Sequence, residues 1–279
     1  MQFSLLLATL NRSKEIKECL LSLCQQEYKE FEVIIIDQSE DNLTKNIVED
    51  FKNLNIKYFK VDFKGLSKAR NFGIKYANGE YCCLLDDDAI YKKDYLKVAN
   101  EYILSDVILS GEILSIDDLK TPFVDYNKIR SSKYLRIREV LDCCPSAALI
   151  FPMSIIKKGI LFNERIGVGN EFAACEETDF ILNAIDLGYK VIHISNLVTY
   201  HPIKRADLSN LIAIKRHSMG KGALLKIDIK VRKKNRLFVF AMKNTIGMII
   251  KAILIDRKNK NYHYARCTGF VQGYKEYKV

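Results

Sequence analysis

The first half of the chain alternates short apolar runs with polar stretches in which apolar residues recur every three or four positions. The apolar runs predict four strands, at residues 3–7, 31–36, 56–61 and 81–85. The first intervening stretch has helical spacing at Ile16, Leu20, Leu23 and Cys24, and Ser13 can cap that helix. Two more helices are predicted over residues 43–51 and 66–77. This order predicts an α/β fold with a mostly parallel central sheet flanked by helices.

The middle of the chain is less regular. Strands are predicted at residues 107–113 and 147–151, separated by a polar, charge-mixed insertion from Ser115 to Glu139 that we expect to be an acceptor-side loop. A helix is predicted from Glu176 to its stop at Gly188, and a strand over 189–194 leads to His201.

From Ser209 onward the pattern becomes helical and basic. Residues 204–279 hold 19 Lys and Arg against four acidic residues, a net charge of +15, whereas the remainder carries 25 against 30, a net −5. This asymmetry predicts that the C-terminal region meets a polyanion. The apolar segment 237–255 is interrupted by Lys243 and Lys251, which favours a helix in a membrane interface over a spanning one. The alternative is a buried C-terminal helix with a solvated basic face.

Three consecutive aspartates, Asp86, Asp87 and Asp88, follow the strand predicted at 81–85. Clustered like charges cost free energy unless something neutralises them, and a divalent cation is a natural neutraliser. Hard oxygen ligands suit Mg²⁺ or Mn²⁺, which carboxylates hold together with substrate phosphates. If the backbone stays extended, Asp86 and Asp88 point to one side and Asp87 to the other. The alternative is a solvated acidic turn.

Eight cysteines include two adjacent pairs, and no Cys-x-x-Cys spacing occurs. With only four histidines, this composition argues against a zinc site. Because no secretory leader precedes the first predicted strand, we expect reduced, mostly buried thiols and a cytosolic protein.

Six short motifs occur in one order between residues 1 and about 201. They are Ala8-Thr9-Leu10-Asn11-Arg12, Ile36-Asp37-Gln38-Ser39, the segment 65–73 (GLSKARNFG), Leu85-Asp86-Asp87-Asp88, Glu176-Glu177-Thr178-Asp179-Phe180, and His201. In this order the chain resembles a family 2 glycosyltransferase with the GT-A nucleotide-diphospho-sugar transferase fold. The resemblance implies a catalytic domain over 1–204, with a nucleotide-binding half (1–105) and an acceptor-side half (106–204), followed by a basic helical region (205–279).

The same resemblance implies roles for individual residues. The nucleotide-sugar contacts it implies are Thr9, Asn11, Arg12, Asp37, Ser39, Arg70, Asn71, Asp86 and Asp87. Asp37 would accept a hydrogen bond from the base imide, with a turn cap as its alternative role. For Asn71 and Asp87 the alternative role is to brace neighbouring loops. The implied metal ligands for Mn²⁺ or Mg²⁺ are Asp86, Asp88 and His201.

Inverting members of this family carry their general base in an acidic motif before an apolar helix, usually Glu-Asp-x-Asp. Glu177 stands at the position of the aspartate base, and Asp179 competes with it for that role. The acidic residues would also favour a helix N-terminus through the helix dipole.

The resemblance therefore implies a metal-dependent inverting glycosyltransferase that uses a UDP- or dTDP-sugar. We expect a lipid-linked saccharide acceptor in surface polysaccharide synthesis, and a peripheral position at the inner, cytoplasmic face of the membrane. Nucleic acid is not an expected partner, because the basic run 230–236 lacks interleaved aromatic residues. The alternatives are a catalytically silent protein of the same fold that binds membrane or nucleic acid, and a sugar-phosphate nucleotidyltransferase, whose Gly-rich phosphate loop is not seen in this sequence.

Overall fold

The computed structural model describes residues 1–124, 131–203, 208, 210–250 and 255–279. These form two compact units, the first made of residues 1–64, 68–162 and 180–203, and the second of residues 65–67, 163–179 and 204–279. The expected boundary at 204/205 lies outside the described residues, as do Lys251 and residues 125–130 of the predicted insertion.

The first unit contains one sheet, whose order is β3-β2-β1-β4-β8-β6-β9-β5, with β7 also paired to β9. The strands are β1 Phe3–Thr9, β2 Phe31–Asp37, β3 Ile56–Lys60, β4 Tyr81–Asp86, β5 Ile90–Tyr91, β6 Val107–Ser115, β7 Lys133–Tyr134, β8 Leu149–Pro152 and β9 Lys190–His201. Strands β3, β2, β1 and β4 are parallel, and β6 is parallel to β9. Strand β8 is antiparallel to both β4 and β6. The predicted α/β class with a largely parallel sheet is confirmed.

The helices begin and end close to the predicted positions in the first half of the chain. They are α1 Ser13–Cys24, α2 Leu43–Glu49, α3 Leu66–Ile74, α4 Tyr95–Tyr102, α5 Ile137–Cys143, α6 Ser154–Lys157, α7 Glu176–Asp186, α8 Leu211–Lys230, α9 Phe238–Ile250 and α10 Lys260–Glu276. The expectation that Ser13 caps α1 was wrong. Ser13 is the first helical residue, and Arg12 occupies the cap position with no side-chain cap hydrogen bond.

Both faces of the parallel strands are buried, as expected when helices cover a sheet on each side. Alternate residues of β1 enter different apolar clusters: Leu5 and Leu7 belong to one, and Leu6 to the other. This two-sided burial holds the strands in register and fixes where each of them ends.

In the second unit, α8 and α10 pack at backbone distance. A Cβ on Gly222 would lie 2.0 Å from the carbonyl oxygen of Phe270, and one on Gly273 would lie 2.0 Å from that of Met219. Only residues without a side chain permit this approach. The two glycines therefore make the helix pair possible.

One narrow side of helix α9 is buried. It consists of Ala241 and of Leu237, the residue just before the helix. The wide side is apolar and 43–50% exposed, and consists of Phe238, Val239, Met242, Ile246, Ile249 and Ile250. Among the described side chains of α9 the exposed ones are mostly apolar, with Lys243 exposed as well. Among the described residues, none of the helices combines the length and apolar character needed to cross a bilayer.

Candidate active site

Three neighbouring strands of the first unit end in polar residues at the same edge of the sheet. Thr9 at the end of β1 is the register partner of Asp37 on β2, and Ala8 is the partner of Asp86 on β4. Open α/β sheets bind ligands outside the carboxyl ends of their parallel strands. Thr9, Asp37 and Asp86 therefore lie side by side at this edge.

The acidic cluster does not continue the strand. Strand β4 ends at Asp86, and the N–H of Ala89 donates to the carbonyl of Asp86 at 3.0 Å, which closes a turn. One guanidinium nitrogen of Arg12, Nη1, reaches both Asp87 Oδ1 and Asp88 Oδ2 at 2.9 Å. The expectation that Asp87 points away from Asp88 was wrong, because that alternation requires an extended backbone.

Asp87 is buried and accepts from Thr9 Oγ1 at 2.7 Å as well as from Arg12. Burial raises the pKa of Asp87, while the bonds from Thr9 and Arg12 act in the opposite direction. For Arg12, burial lowers the pKa, but Asp87 and Asp88 raise it by more. In this structure Arg12 is therefore a neutraliser of the aspartates.

Asp88 also contacts His201, which ends β9. Nε2 of His201 lies 2.9 Å from Asp88 Oδ1, and Nδ1 lies 2.9 Å from the carbonyl oxygen of Pro202. Burial lowers the pKa of His201, but the hydrogen bond and charge of Asp88 outweigh it, so the pKa is raised. The Pro202 carbonyl, accepting from Nδ1–H, orients Nε2 toward Asp88.

Asp86 has different partners. Ser146 Oγ donates to Asp86 Oδ2 at 3.1 Å, and Arg70 Nη2 lies 3.4 Å from Asp86 Oδ1. Arg70 is only 2% exposed, and its guanidinium lies 5.5 Å from the ring centroid of Phe162. A buried arginine held over an aromatic ring presents a rigid donor fork, which suits phosphate oxygens.

Asn71 binds the backbone of Phe162 in both directions. Its Nδ2 donates to the Phe162 carbonyl at 2.8 Å, and its Oδ1 accepts from the Phe162 N–H at 2.9 Å. This is the geometry of a loop brace.

Asp37 and Ser39 are linked to the loop after β1. Asp37 accepts from the Ser39 N–H at 2.9 Å and from the Tyr58 hydroxyl at 2.7 Å. Ser39 Oγ accepts from the N–H of Asn11 at 2.8 Å, where Asn11 has a left-handed φ of 56°. A cavity of about 650 Å³ lies beside Ser39, lined also by Lys60 and Lys64. The lining is mixed in charge, because Glu40 and Asp62 lie beside the two lysines.

The acidic segment at the start of α7 belongs to the second unit. Glu176 and Asp179 are buried, whereas Glu177 is half-buried. Asp179 forms an ion pair with Arg232, a residue of the turn after α8. Burial raises the pKa of Asp179, and Arg232 opposes that effect. The predicted base candidates therefore differ sharply in their surroundings.

The fit to a metal ion can be judged in the first unit. Asp88 and His201 are adjacent and offer a carboxylate and an imidazole, both of which are Mn²⁺ ligands. Within the described part of the chain, no three His, Cys, Asp or Glu side chains form a group that could hold a cation. The pair thus fits a site that substrate phosphates and water complete, which is the usual way a Mg²⁺-type ion is bound.

The sequence interpretation missed Ser146, Tyr58 and Arg232. Ser146 and Arg232 lie far along the chain from the aspartates they contact, and no local pattern marks them. For Tyr58 the sequence did offer a signal, because its hydroxyl lies in the predicted third strand and the predicted second strand ends in Asp37.

The fold and the polar sheet edge define the class: an α/β protein with the architecture of GT-A glycosyltransferases. Residues 4–162 match the family model "Glycosyl transferase family 2". This match covers more than half of the chain, so the chain belongs to glycosyl transferase family 2.

Two relatives illustrate the similarity. The chain is 26% identical over 276 residues to poly(ribitol-phosphate) beta-N-acetylglucosaminyltransferase TarS of Staphylococcus aureus, covering 90% of this chain and 47% of TarS. It therefore spans about half the length of that relative. It is 25% identical over 224 residues to UDP-Glc:alpha-D-GlcNAc-diphosphoundecaprenol beta-1,3-glucosyltransferase WfaP of Escherichia coli, covering 74% and 79% of the two chains.

Solved structures agree on the fold. TarS residues 1–349 in complex with UDP-GlcNAc align with a TM-score of 0.63 at 22% identity, covering 99% of this chain and 90% of that one. The mannosyltransferase PcManGT of Pyrobaculum calidifontis, in complex with GDP-Man and Mn²⁺, aligns with a TM-score of 0.65 at 13% identity, covering 98% and 86%.

Proposed function

We propose that this protein is an inverting glycosyltransferase that moves a sugar from a UDP- or dTDP-linked donor to a hydroxyl of a saccharide acceptor. The observation that carries the proposal is the meeting of Arg12, Asp88 and His201 beside the ends of parallel strands, in a chain of glycosyl transferase family 2. Two relatives support the donor class by their names or ligands, since TarS was solved with UDP-GlcNAc and WfaP is named for UDP-Glc.

In this proposal Asp88 and His201 hold Mn²⁺ or Mg²⁺, with Asp86 as a further candidate ligand. The ion would stabilise the negative charge of the departing diphosphate. The proposed nucleotide-sugar contacts are Thr9, Asn11, Arg12, Asp37, Ser39, Arg70, Asn71, Asp86 and Asp87. Glu177 removes the proton from the acceptor hydroxyl, a role worth ~10²–10⁴ in rate. Residues 1–204 form the catalytic domain.

The proposed acceptor is a lipid-linked saccharide of surface polysaccharide synthesis, and the proposed location is the inner face of the cell membrane. WfaP, whose name specifies a diphosphoundecaprenol-linked acceptor, supports this choice. The exposed apolar side of α9 supports it independently, because basic residues flank that helix on each side in sequence, among them Lys233, Lys234, Lys258 and Lys260. Apolar and basic surface together favour an anionic bilayer.

The proposal is tested by donor cleavage. The full chain is incubated with Mn²⁺ and a panel of UDP- and dTDP-sugars, and released nucleoside diphosphate is measured with and without a diphosphoundecaprenol-linked saccharide. We expect release with at least one donor and acceleration by the acceptor. Absence of release with every donor would favour the catalytically silent alternative, and pyrophosphate release from UTP and a sugar phosphate would favour the nucleotidyltransferase.

A further inference from the structure

The acidic segment before α7 is held closely against α8 within the second unit. A Cβ on Gly220 would lie 2.6 Å from the carbonyl oxygen of Ala174, so only glycine permits this contact. The N–H of Ala173 donates to the carbonyl of Arg216 at 3.3 Å, and Arg216 Nη2 donates to the carbonyl of Asn170 at 2.9 Å. Helix α8 therefore fixes the backbone on the N-terminal side of Glu176.

On the C-terminal side, Arg232 holds the same segment at Asp179. Nη2 of Arg232 contacts the Asp179 carboxylate and also donates to the Asp179 backbone carbonyl at 3.1 Å. Because one nitrogen binds both side chain and backbone, Arg232 fixes the position of the first turn of α7. Glu177 lies in that turn, two residues before Asp179.

Arg232 is itself part of a buried network. Its N–H donates to the Ile227 carbonyl at 3.1 Å, and its Nη1 lies 3.9 Å from Asp228 Oδ1. Arg236 Nε donates to the same Asp228 oxygen at 2.9 Å. Two aspartates and two arginines balance in charge, which is the condition for burying such groups without a large cost.

The network separates the roles of the two base candidates. The Asp179 carboxylate is buried and paired with Arg232, whereas Glu177 is half-buried, so part of its surface is exposed to solvent. A base must reach the proton that it abstracts, which excludes a carboxylate enclosed in an ion pair.

We propose that Arg232 is a positioning residue that acts through Asp179 to hold the catalytic base Glu177 in place, and that Asp179 is not itself the base. The inference rests on the proposed function, since it assigns roles within the same reaction. It makes the turn after α8 a part of the catalytic apparatus, although Arg232 lies 53 residues beyond Asp179 in sequence.

The experiment measures kcat and KM for nucleoside diphosphate release by the full chain, with the best UDP- or dTDP-sugar and Mn²⁺. Glu177→Gln should lower kcat by ~10²–10⁴-fold, because it removes the base. Asp179→Asn should lower it by less than about tenfold, because the amide oxygen still accepts from Arg232. Arg232→Met should lower kcat by about 10²-fold with little change in the donor KM, because a displacement of about 1 Å has such an effect. Arg232→Lys should restore part of the loss.

Thermal unfolding of each variant guards against a folding defect. The double variant Asp179→Asn/Arg232→Met removes both charges, and its loss should equal that of Arg232→Met instead of the product of the two single losses. Lys226→Met is the matched control, since Lys226 also lies on α8 and its described contacts are with Lys275 and Tyr274 of α10. Its kcat should be unchanged.

Either of two results would overturn this inference and leave the proposed function standing. One is a loss of kcat for Asp179→Asn as large as that for Glu177→Gln, and the other is an unchanged kcat for a folded Arg232→Met. A wild-type chain that cleaves no donor would instead remove the proposed function, and this inference with it.

Discussion

Asp88 and His201 are joined by a 2.9 Å contact between Oδ1 and Nε2, although β4 and β9 are separated in the sheet by β8 and β6. The turn after β4 and the last residue of the long strand β9 thus bring a carboxylate and an imidazole together. Arg12 binds the other oxygen of the same carboxylate. Asp88 is therefore the group on which Arg12 and His201 converge.

The first prediction concerns this carboxylate. Asp88→Asn should lower Mn²⁺-dependent release of nucleoside diphosphate by roughly 10²-fold or more, because a metal ion held there would contribute several kcal/mol of charge stabilisation. His201→Gln should raise the Mn²⁺ concentration required for half-maximal activity. Both are measured by titrating Mn²⁺ at a saturating donor concentration. Asp106→Asn is the control, since the Asp106 carboxylate forms an exposed ion pair with Lys190.

A second prediction distinguishes bracing from nucleotide contact at Asn71. Asn71→Ala leaves the buried N–H and carbonyl of Phe162 without that partner, which should cost roughly 3 kcal/mol of unfolding free energy. Urea unfolding without donor measures the loss, and Asn53→Ala at an exposed position should change the stability by less than about 0.5 kcal/mol. Unchanged stability with a raised donor KM would instead assign Asn71 to the nucleotide.

The polar edge of the parallel sheet could be predicted because it follows from local sequence patterns. Each apolar run defines a strand, each strand end carries its polar residue, and parallel strands end at the same edge. Thr9, Asp37 and Asp86 lie at such strand ends. The direction of the aspartate side chains was predicted wrongly, because β4 ends at Asp86 and the turn that follows depends on contacts with Arg12.

The partners of the acidic residues could not be predicted. The charge argument required a neutraliser for the aspartates and named a cation, but Arg12, Arg70 and His201 already contact them. The same holds for Asp179, whose partner Arg232 belongs to a basic run that composition alone would assign to solvent or membrane. Such pairings depend on tertiary packing, which hydrophobic periodicity does not encode.

A third prediction concerns stability at low pH. The Glu139 carboxylate accepts from Arg136 Nη2 at 3.1 Å, from Lys133 at 2.7 Å and from the Arg136 N–H at 2.8 Å. These bonds, of which the Arg136 side chain contributes most, lower the pKa of Glu139 from 4.5 to about 2. Since the folded pKa lies below the unfolded one, the stabilisation is complete above pH 4.5 and is lost as the pH falls toward 2.

Glu139→Gln should therefore reduce the unfolding free energy by about 1 kcal/mol at neutral pH, a value that allows for solvent screening of this partly exposed ion pair. The difference from wild type should shrink to less than half by about pH 3. Thermal unfolding across this range measures it, and Glu49→Gln, at an exposed site, is the control. A difference that does not vary with pH would show that the charge of Glu139 is not responsible.

The fourth prediction concerns the apolar face of α9. Ile246 and Ile249 are each about half exposed, so transferring both into a bilayer should contribute about 2 kcal/mol. Ile246→Ser/Ile249→Ser should therefore weaken binding to phosphatidylglycerol-containing vesicles about 30-fold, as measured by flotation. Ile212→Ser/Val271→Ser is the matched control, because these residues are also exposed but lie on α8 and α10.

Binding of the wild-type chain should weaken with added salt and should be poorer to neutral vesicles, because the lysines that flank α9 attract anionic lipid. Equal binding by the α9 variant and wild type would exclude this face as the membrane contact, and a dimer that dissociates on the same substitutions would assign it to a second copy of the chain.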